Sequence, residues 1–316
     1  MKKVLFKLNF VLTRLWRFQS LYFLKPHDAI NDTLTASILS RLDWSGSTLE
    51  LGSGDGVFSY IMHGGRFPLW YDRYLLTDLA KTDIYDSHKS GVINTLVEIA
   101  EPRINLAIDA KFSHVEKIKE IGFAQQYAVA AYEELPVASQ SIEKIFYYTP
   151  HGLRNHDEAI DEAVRVLQPG GKMLILLFQS AVSSSFLCYR LGRRFSGSIG
   201  QYFARLDNGR FEEITNLAKT RAEWEDYFES KGLTIEARNS GLSTFAWKMY
   251  DIQTRPILKF LIRCFGLLPL RSRTLVKTVW MILWYPYLVI FYALFSNRLI
   301  SISSKDCYLA YQLEKV

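Results

Sequence analysis

Cysteine is scarce and scattered. The three in this chain, Cys188, Cys264 and Cys307, form no C-x-x-C pair, and no histidine stands at ligand spacing from them. A disulfide framework and a zinc site are thereby disfavoured, and a reducing, cytoplasmic setting is expected. No internal repeat or low-complexity tract is present, which argues against solenoid and disordered classes. Acidic residues are missing from two long stretches. Residues 1–25 hold six Lys or Arg and residues 252–305 hold eight, neither with any Asp or Glu, so the formal charge of +6 leaves −8 on everything else. Both stretches are also apolar. Nucleic-acid binding would set cations on polar surface, so a membrane face suits these segments better.

Residues 1–25 lack the unbroken apolar core of a signal peptide, because Lys7, Arg14 and Arg17 interrupt it, and no small-residue cleavage site follows. At helical spacing Lys3, Lys7, Arg14 and Arg17 share one arc, and Val4, Leu8, Val11, Leu12, Leu15, Phe18 and Tyr22 share the arc beside it. Such a helix can pack on a core. It can also lie in lipid headgroups with Trp16 and the phenylalanines inserted, which is the preferred expectation.

With 49% hydrophobic and 22% charged residues over 316 positions, the composition is that of one large α/β domain with additions. The stretch Thr48-Leu49-Glu50-Leu51-Gly52-Ser53-Gly54-Asp55-Gly56 reads as a buried strand breaking into a glycine-rich turn, with Val57–Met62 as the helix that leaves it. The first amides of that helix offer donors to a ligand. A dinucleotide fingerprint would need its third glycine where Val57 stands. The glycines run G-x-G-x-G instead, with Glu50 two residues ahead.

This turn resembles motif I of the Rossmann-like, class I S-adenosylmethionine-dependent methyltransferases. Later segments extend the likeness. Ile104–Ile108 ending in Asp109 is similar to the second strand, Tyr127–Ala131 to the third, and Leu135-Pro136 with Ser141–Tyr148 to the fourth. Arg165-Val166-Leu167-Gln168-Pro169-Gly170-Gly171-Lys172 before Met173–Leu177 matches the helix, turn and fifth strand. Proline and paired glycines stop a helix and turn the chain into a buried strand. The resemblance implies a doubly wound, mostly parallel seven-stranded sheet with helices on both faces.

It also implies S-adenosyl-L-methionine as cofactor, held by Glu50, Gly52, Ser53, Gly54 and Gly56, with Asp109 on the ribose hydroxyls. Asp78 competes for the ribose role, but choosing it would leave residues 84–109 without a place between strands. Ala131, Tyr132 and Glu133 fall beside the adenine, where many members carry an acid at the strand end. Tyr148 and His151 follow the fourth strand and overlook the methyl position, making His151 the candidate base. No metal is required.

The remaining segments are additions. Ile30–Leu42 reads as a helix capped by Asp28 or Asn31. Residues 64–103 form an insertion whose Trp70, Tyr71 and Tyr74 are either a substrate wall or ordinary packing. Arg190, Arg193, Arg194 and Tyr202 are either contacts for an anionic substrate or surface. Residues 26–250 and 306–316 make the methyltransferase domain, and 251–305 interrupt it ahead of a last strand at Cys307–Leu313. Within that interruption Val279–Phe295 are seventeen uncharged residues, about 26 Å as a helix and short of a roughly 30 Å hydrocarbon layer. A single crossing would also strand the last strand on the far side of the bilayer, so a re-entrant or in-plane element is expected. A buried homodimer interface is the alternative use of these apolar residues. The expected protein is a cytoplasmic, peripheral or monotopic membrane enzyme on the inner face. Its acceptor would be a small molecule or lipid, quinone-like molecule or lipid-linked glycan. A methyltransferase for a soluble acceptor, and a non-catalytic scaffold that binds the cofactor, are the other readings.

Overall fold

The computed structural model describes residues 2–75, 77, 79, 104–148, 155–207, 209–241, 243–296 and 306–316. Seven strands form one sheet: β1 (Thr48–Leu51), β2 (Ile104–Asp109), β3 (Ala124–Val129), β4 (Ile142–Tyr147), β5 (Leu167–Phe178), β6 (Leu233–Ser240) and β7 (Tyr308–Lys315). Their order is β3-β2-β1-β4-β5-β7-β6. The first five are mutually parallel, and β7 runs antiparallel between β5 and β6. Strand order reverses beside β1, whose neighbours are β2 and β4. In sheets of this kind the crevice at the carboxyl ends of the strands at such a point receives ligands.

The period of two along the strands divides the core. Leu49, Leu51, Ile108, Ile145, Tyr147, Met173 and Ile175 point to one face. There α5 (His156–Val166) and α9 (Arg221–Ser230) bury Ile160, Ala163, Trp224 and Phe228. Ala107, Phe146, Leu174 and Leu176 point to the other. That face is covered by α1 (Lys2–Leu21), α2 (Pro26–Leu39), α3 (Val57–Met62) and α4 (Phe112–Ile121). Helices α6 (Leu187–Arg194), α7 (Gly197–Asp207) and α8 (Arg210–Leu217) follow a 3-10 turn after β5. α10 (Thr244–Ile252), a π-helical turn at Gln253–Ile257, α11 (Leu258–Gly266) and α12 (Leu270–Ser296) lie between β6 and β7.

Several expectations are corrected. α2 starts at Pro26, and Lys25 ahead of it makes no side-chain cap. Proline at the first helical position sets the start without a side-chain oxygen. Asp28 therefore sits in the first turn, and Asn31 inside the helix accepts from the Tyr308 hydroxyl at 2.8 Å. β3 ends at Val129, leaving Ala131 beyond the strand. Phe18 and Leu15 of α1 are fully buried, with Phe18 stacked on Phe58, so this helix packs on the core and does not offer them to lipid. Arg14 and Arg17 donate to the carbonyls of Met62 and Gly64 at 2.9 and 2.7 Å, covering the open end of α3.

α12 is one continuous helix through Pro286. Its inner face is tied to the domain along its length. Arg273 pairs with Asp72 at 2.8 Å, Lys277 Nζ donates to the Tyr71 carbonyl at 2.6 Å, and Gln19 Nε2 donates to the Met281 carbonyl at 2.9 Å. The Tyr285 hydroxyl donates to the Leu12 carbonyl at 3.0 Å, and the Tyr292 hydroxyl meets Ser37 Oγ at 3.0 Å. The bonded span from 273 to 292 is about 28 Å. The outer face carries exposed Leu275, Val279, Ile282, Leu283, Tyr287 and Ile290. By length and composition Leu270–Leu294 would suffice to cross a membrane. The helix nonetheless lies flat against its own domain.

Candidate functional site

The turn after β1 is built as its glycines require. Gly52, Gly54 and Gly56 all have positive φ, at 75°, 56° and 75°. A β-carbon on Gly56 would come within 2.6 Å of the Phe123 ring, whereas one on Gly54 would point into open space. The first glycine pair bends the chain, and the open side of Gly54 leaves a cradle beside the strand ends. Ser53 is buried, and its hydroxyl lies 3.3 Å from the Ile108 carbonyl.

Asp109 joins this turn from β2. Its carboxylate accepts from the Gly54 amide at 2.9 Å and the Lys111 amide at 2.9 Å. The Tyr132 hydroxyl also reaches it at 3.2 Å, and His114 Nδ1 lies 3.1 Å away. The acid at the end of β2 thus sits at the glycine turn itself. Glu50 is 2% exposed, and Ser59 Oγ donates into its carboxylate from 2.6 and 2.7 Å. Burial pushes Glu50 up to about 8; the Ser59 hydrogen bond opposes this and the charge of Asp109 adds to it.

Tyr132 is buried beside Asp109, while Ala131 is exposed and Glu133 half-exposed in the turn past β3. Tyr148 stands just beyond β4, packed on Phe58 and Phe146. His151, the candidate base, lies outside the described residues, as does Asp78. The structure therefore brings Glu50, the three glycines, Ser53, Asp109 and Tyr132 together at the carboxyl ends of β1 and β2, with Tyr148 at the end of β4.

Two polar groups here were not foreseen from the sequence. Asp55 is buried and paired with Arg73 Nε and Lys117 Nζ, each at 2.9 Å. Burial alone would raise its carboxyl, but the two cations hold it well below the ordinary range. The second group comes from α1 and α2. Lys25 Nζ bridges Asp28 at 2.6 Å and the Tyr250 hydroxyl at 3.3 Å. Arg73 donates to the Tyr22 hydroxyl at 3.1 Å. Asp32 is fully enclosed, pushed up to about 7 first by burial and then by the charge of Asp28. Tyr22, Asp28, Asp32, Tyr148, Tyr250 and Tyr308 act on one another electrostatically. They form one polar cluster over the carboxyl end of β4. Pro26 at a helix start with Asp28 and Asp32 one turn apart was the available signal.

Tyr71 and Tyr74 are buried, Tyr71 stacking on Phe67. Arg190, Arg193 and Arg194 are exposed on α6, with Arg193 over the Tyr189 ring. Among the described residues no group of His, Cys, Asp or Glu is placed to hold a metal ion.

Residues 49–175 match a family model described as a methyltransferase domain. Over these residues the chain carries a class I S-adenosylmethionine-dependent methyltransferase domain. The matched segment runs from β1 to the middle of β5 and includes both the glycine turn and Asp109. No curated protein sequence matches the methyltransferase. Among solved structures it is similar to the YcgJ protein of Bacillus subtilis, at 12% identity and TM-score 0.41, covering 90% of this chain and 97% of that one. It is also similar to the geranyl diphosphate C-methyltransferase of Streptomyces coelicolor, at 9% identity and TM-score 0.44, covering 92% and 84%. These two likenesses concern the fold.

Proposed function

We propose that this methyltransferase acts at the cytoplasmic surface of a membrane, as a peripheral protein, on an amphiphilic acceptor: a lipid, a quinone-like molecule or a lipid-linked glycan. The observation that carries the reading is the outer face of α12. Its exposed apolar residues lie along a helix fastened flat to the domain. Lys259, Arg263 and Arg271 are exposed near them, with no ion-pair partner recorded among the described residues. An apolar face with unopposed cations fits the interface of an anionic bilayer.

The glycine turn and Asp109 hold the cofactor in this reading. The donors now on Asp109 show a carboxylate already arranged to accept hydrogen bonds, and the open side of Gly54 leaves room for a nucleoside. When bound, S-adenosylmethionine supplies an electrophilic methyl group on a sulfonium. Asp109 would accept from its ribose hydroxyls, the turn at Ala131, Tyr132 and Glu133 would border its adenine, and Tyr148 would wall the reacting end. His151 takes the proton of a hydroxyl acceptor. Replacing it with alanine lowers kcat by about 100-fold or more while leaving cofactor affinity unchanged.

Flotation with phosphatidylglycerol vesicles tests the surface. The expected result is binding that weakens as salt rises and is lost in Ile282→Asp with Ile290→Asp. Both side chains are roughly 60% exposed, so the fold does not depend on them. Removal of residues 1–25 is unsuitable, because it would strip Leu15 and Phe18 from the core. Failure of the intact protein to float, together with dimers in plain buffer that the same double substitution dissociates, would overturn the membrane reading in favour of a homodimer.

A further inference from the structure

A cavity of about 650 Å³ lies between the segment around α10 and the outer part of α12, a size ordinary for a ligand site. Met249 and Ile252 form one wall, Leu283, Trp284 and Tyr287 the other, and His27 a third side. The mouth is on the apolar surface already described, since Leu283 is 72% exposed and Tyr287 40%. The interior is different. His27 is 5% exposed; its Nε2 lies 3.2 Å from the Tyr287 hydroxyl, and the side chain of Gln253, another lining residue, accepts from the His27 amide at 3.4 Å and acts on the ring.

The residues next along the chain lead inward. Asp28 follows His27, and Tyr250 follows Met249. These two are joined through Lys25 to the polar cluster that surrounds Tyr148 at the end of β4. An apolar cavity therefore opens on the face of α12, and Asp28 and Tyr250, the chain neighbours of its lining residues His27 and Met249, belong to the polar cluster around Tyr148.

We infer that this cavity seats the single apolar chain of the methyl acceptor, entering from the α12 face, while the acceptor's polar head reaches the cluster of Asp28, Asp32 and Tyr148. The inference rests on the proposed membrane acceptor and narrows it to a chain-bearing molecule whose head carries a hydroxyl or amine. The continuity of the mouth with the apolar surface, and the polar groups at the inner end, match the two halves of such a molecule.

The test uses ω-bromoalkanols of increasing length below their micellar concentration, with the full-length protein. Bromine on the chain quenches indole fluorescence, and Trp284 lines the cavity. Expected are saturable quenching, largely lost in Trp284→Phe, and a Kd that tightens about fourfold per added methylene until the cavity is full. Met249→Phe, which fills the cavity, and Leu283→Asp, which places a charge at its exposed mouth, each weaken binding tenfold or more. Calorimetric titration with S-adenosylhomocysteine is run on the same samples. If that titration is normal while alkanol affinity ignores both chain length and the two substitutions, the chain seat is refuted. If the length series and substitutions behave as stated but the nucleoside does not bind, the cofactor reading falls and the chain seat stands.

Discussion

At Gly54 and Gly56 the same backbone conformation has two different consequences. Alanine at either position is strained by about 1 kcal/mol or more, since both φ values are positive. At Gly56 the new methyl also meets the Phe123 ring, so Gly56→Ala lowers the melting temperature of the ligand-free protein more than Gly54→Ala does. At Gly54 the methyl enters the cradle, so Gly54→Ala loses S-adenosylhomocysteine binding by about tenfold or more in calorimetry with little further loss of stability. Glu50 gives a pH signature. Its carboxyl titrates near 8 when folded, against an ordinary 4.5. Between those values the folded chain keeps a proton that the unfolded chain has released, so this group's contribution to stability declines as pH rises from about 4.5 to about 8. Glu50→Gln removes that decline. Melting curves should show the variant gaining on the native protein across this window and ahead of it above pH 8. Asp109→Ala, removing the side-chain acceptor at the glycine turn, should weaken S-adenosylhomocysteine by about 10- to 100-fold.

Pairs of elements carry the next level. Asp55 ties the glycine turn to α4 through Lys117 and to the segment before Leu75 through Arg73. Asp55→Asn takes the counter-charge from Lys117, which is buried. Breaking such a buried pair costs roughly 3–5 kcal/mol, so thermal unfolding should come about 10 °C earlier. What was legible in the sequence follows the same division. The glycine turn and the acid ending β2 were readable because spacing and strand ends are local properties. Asp55 with Lys117 was not, since the partners are 62 positions apart. Ala128–Ala131 reads as one apolar run, but the ladder with β2 stops at the Asp109 and Val129 pair, so Ala131 falls outside the strand. Lys277 is one of the eight cations counted in residues 252–305. It is 1% exposed, donates to the Tyr71 carbonyl, and is lowered to about 8 by burial. Only the three-dimensional partner reveals that role. The helical period did disclose the two faces of α1, yet not which material would cover them.

At the scale of the whole molecule, the catalytic half of the sheet is continuous in sequence, whereas its far edge is closed by a strand that arrives late. β7 fills the gap between β5 and β6, and α12 precedes it in the chain. During translation at about 5–20 residues per second, β6 waits unpaired while α12 leaves the ribosome, and the residues of β7 follow within roughly one to four seconds. For that interval the outer face of α12 is exposed before the sheet beneath it has closed. A nascent chain would thus present this apolar helix to a chaperone before it had become an enzyme.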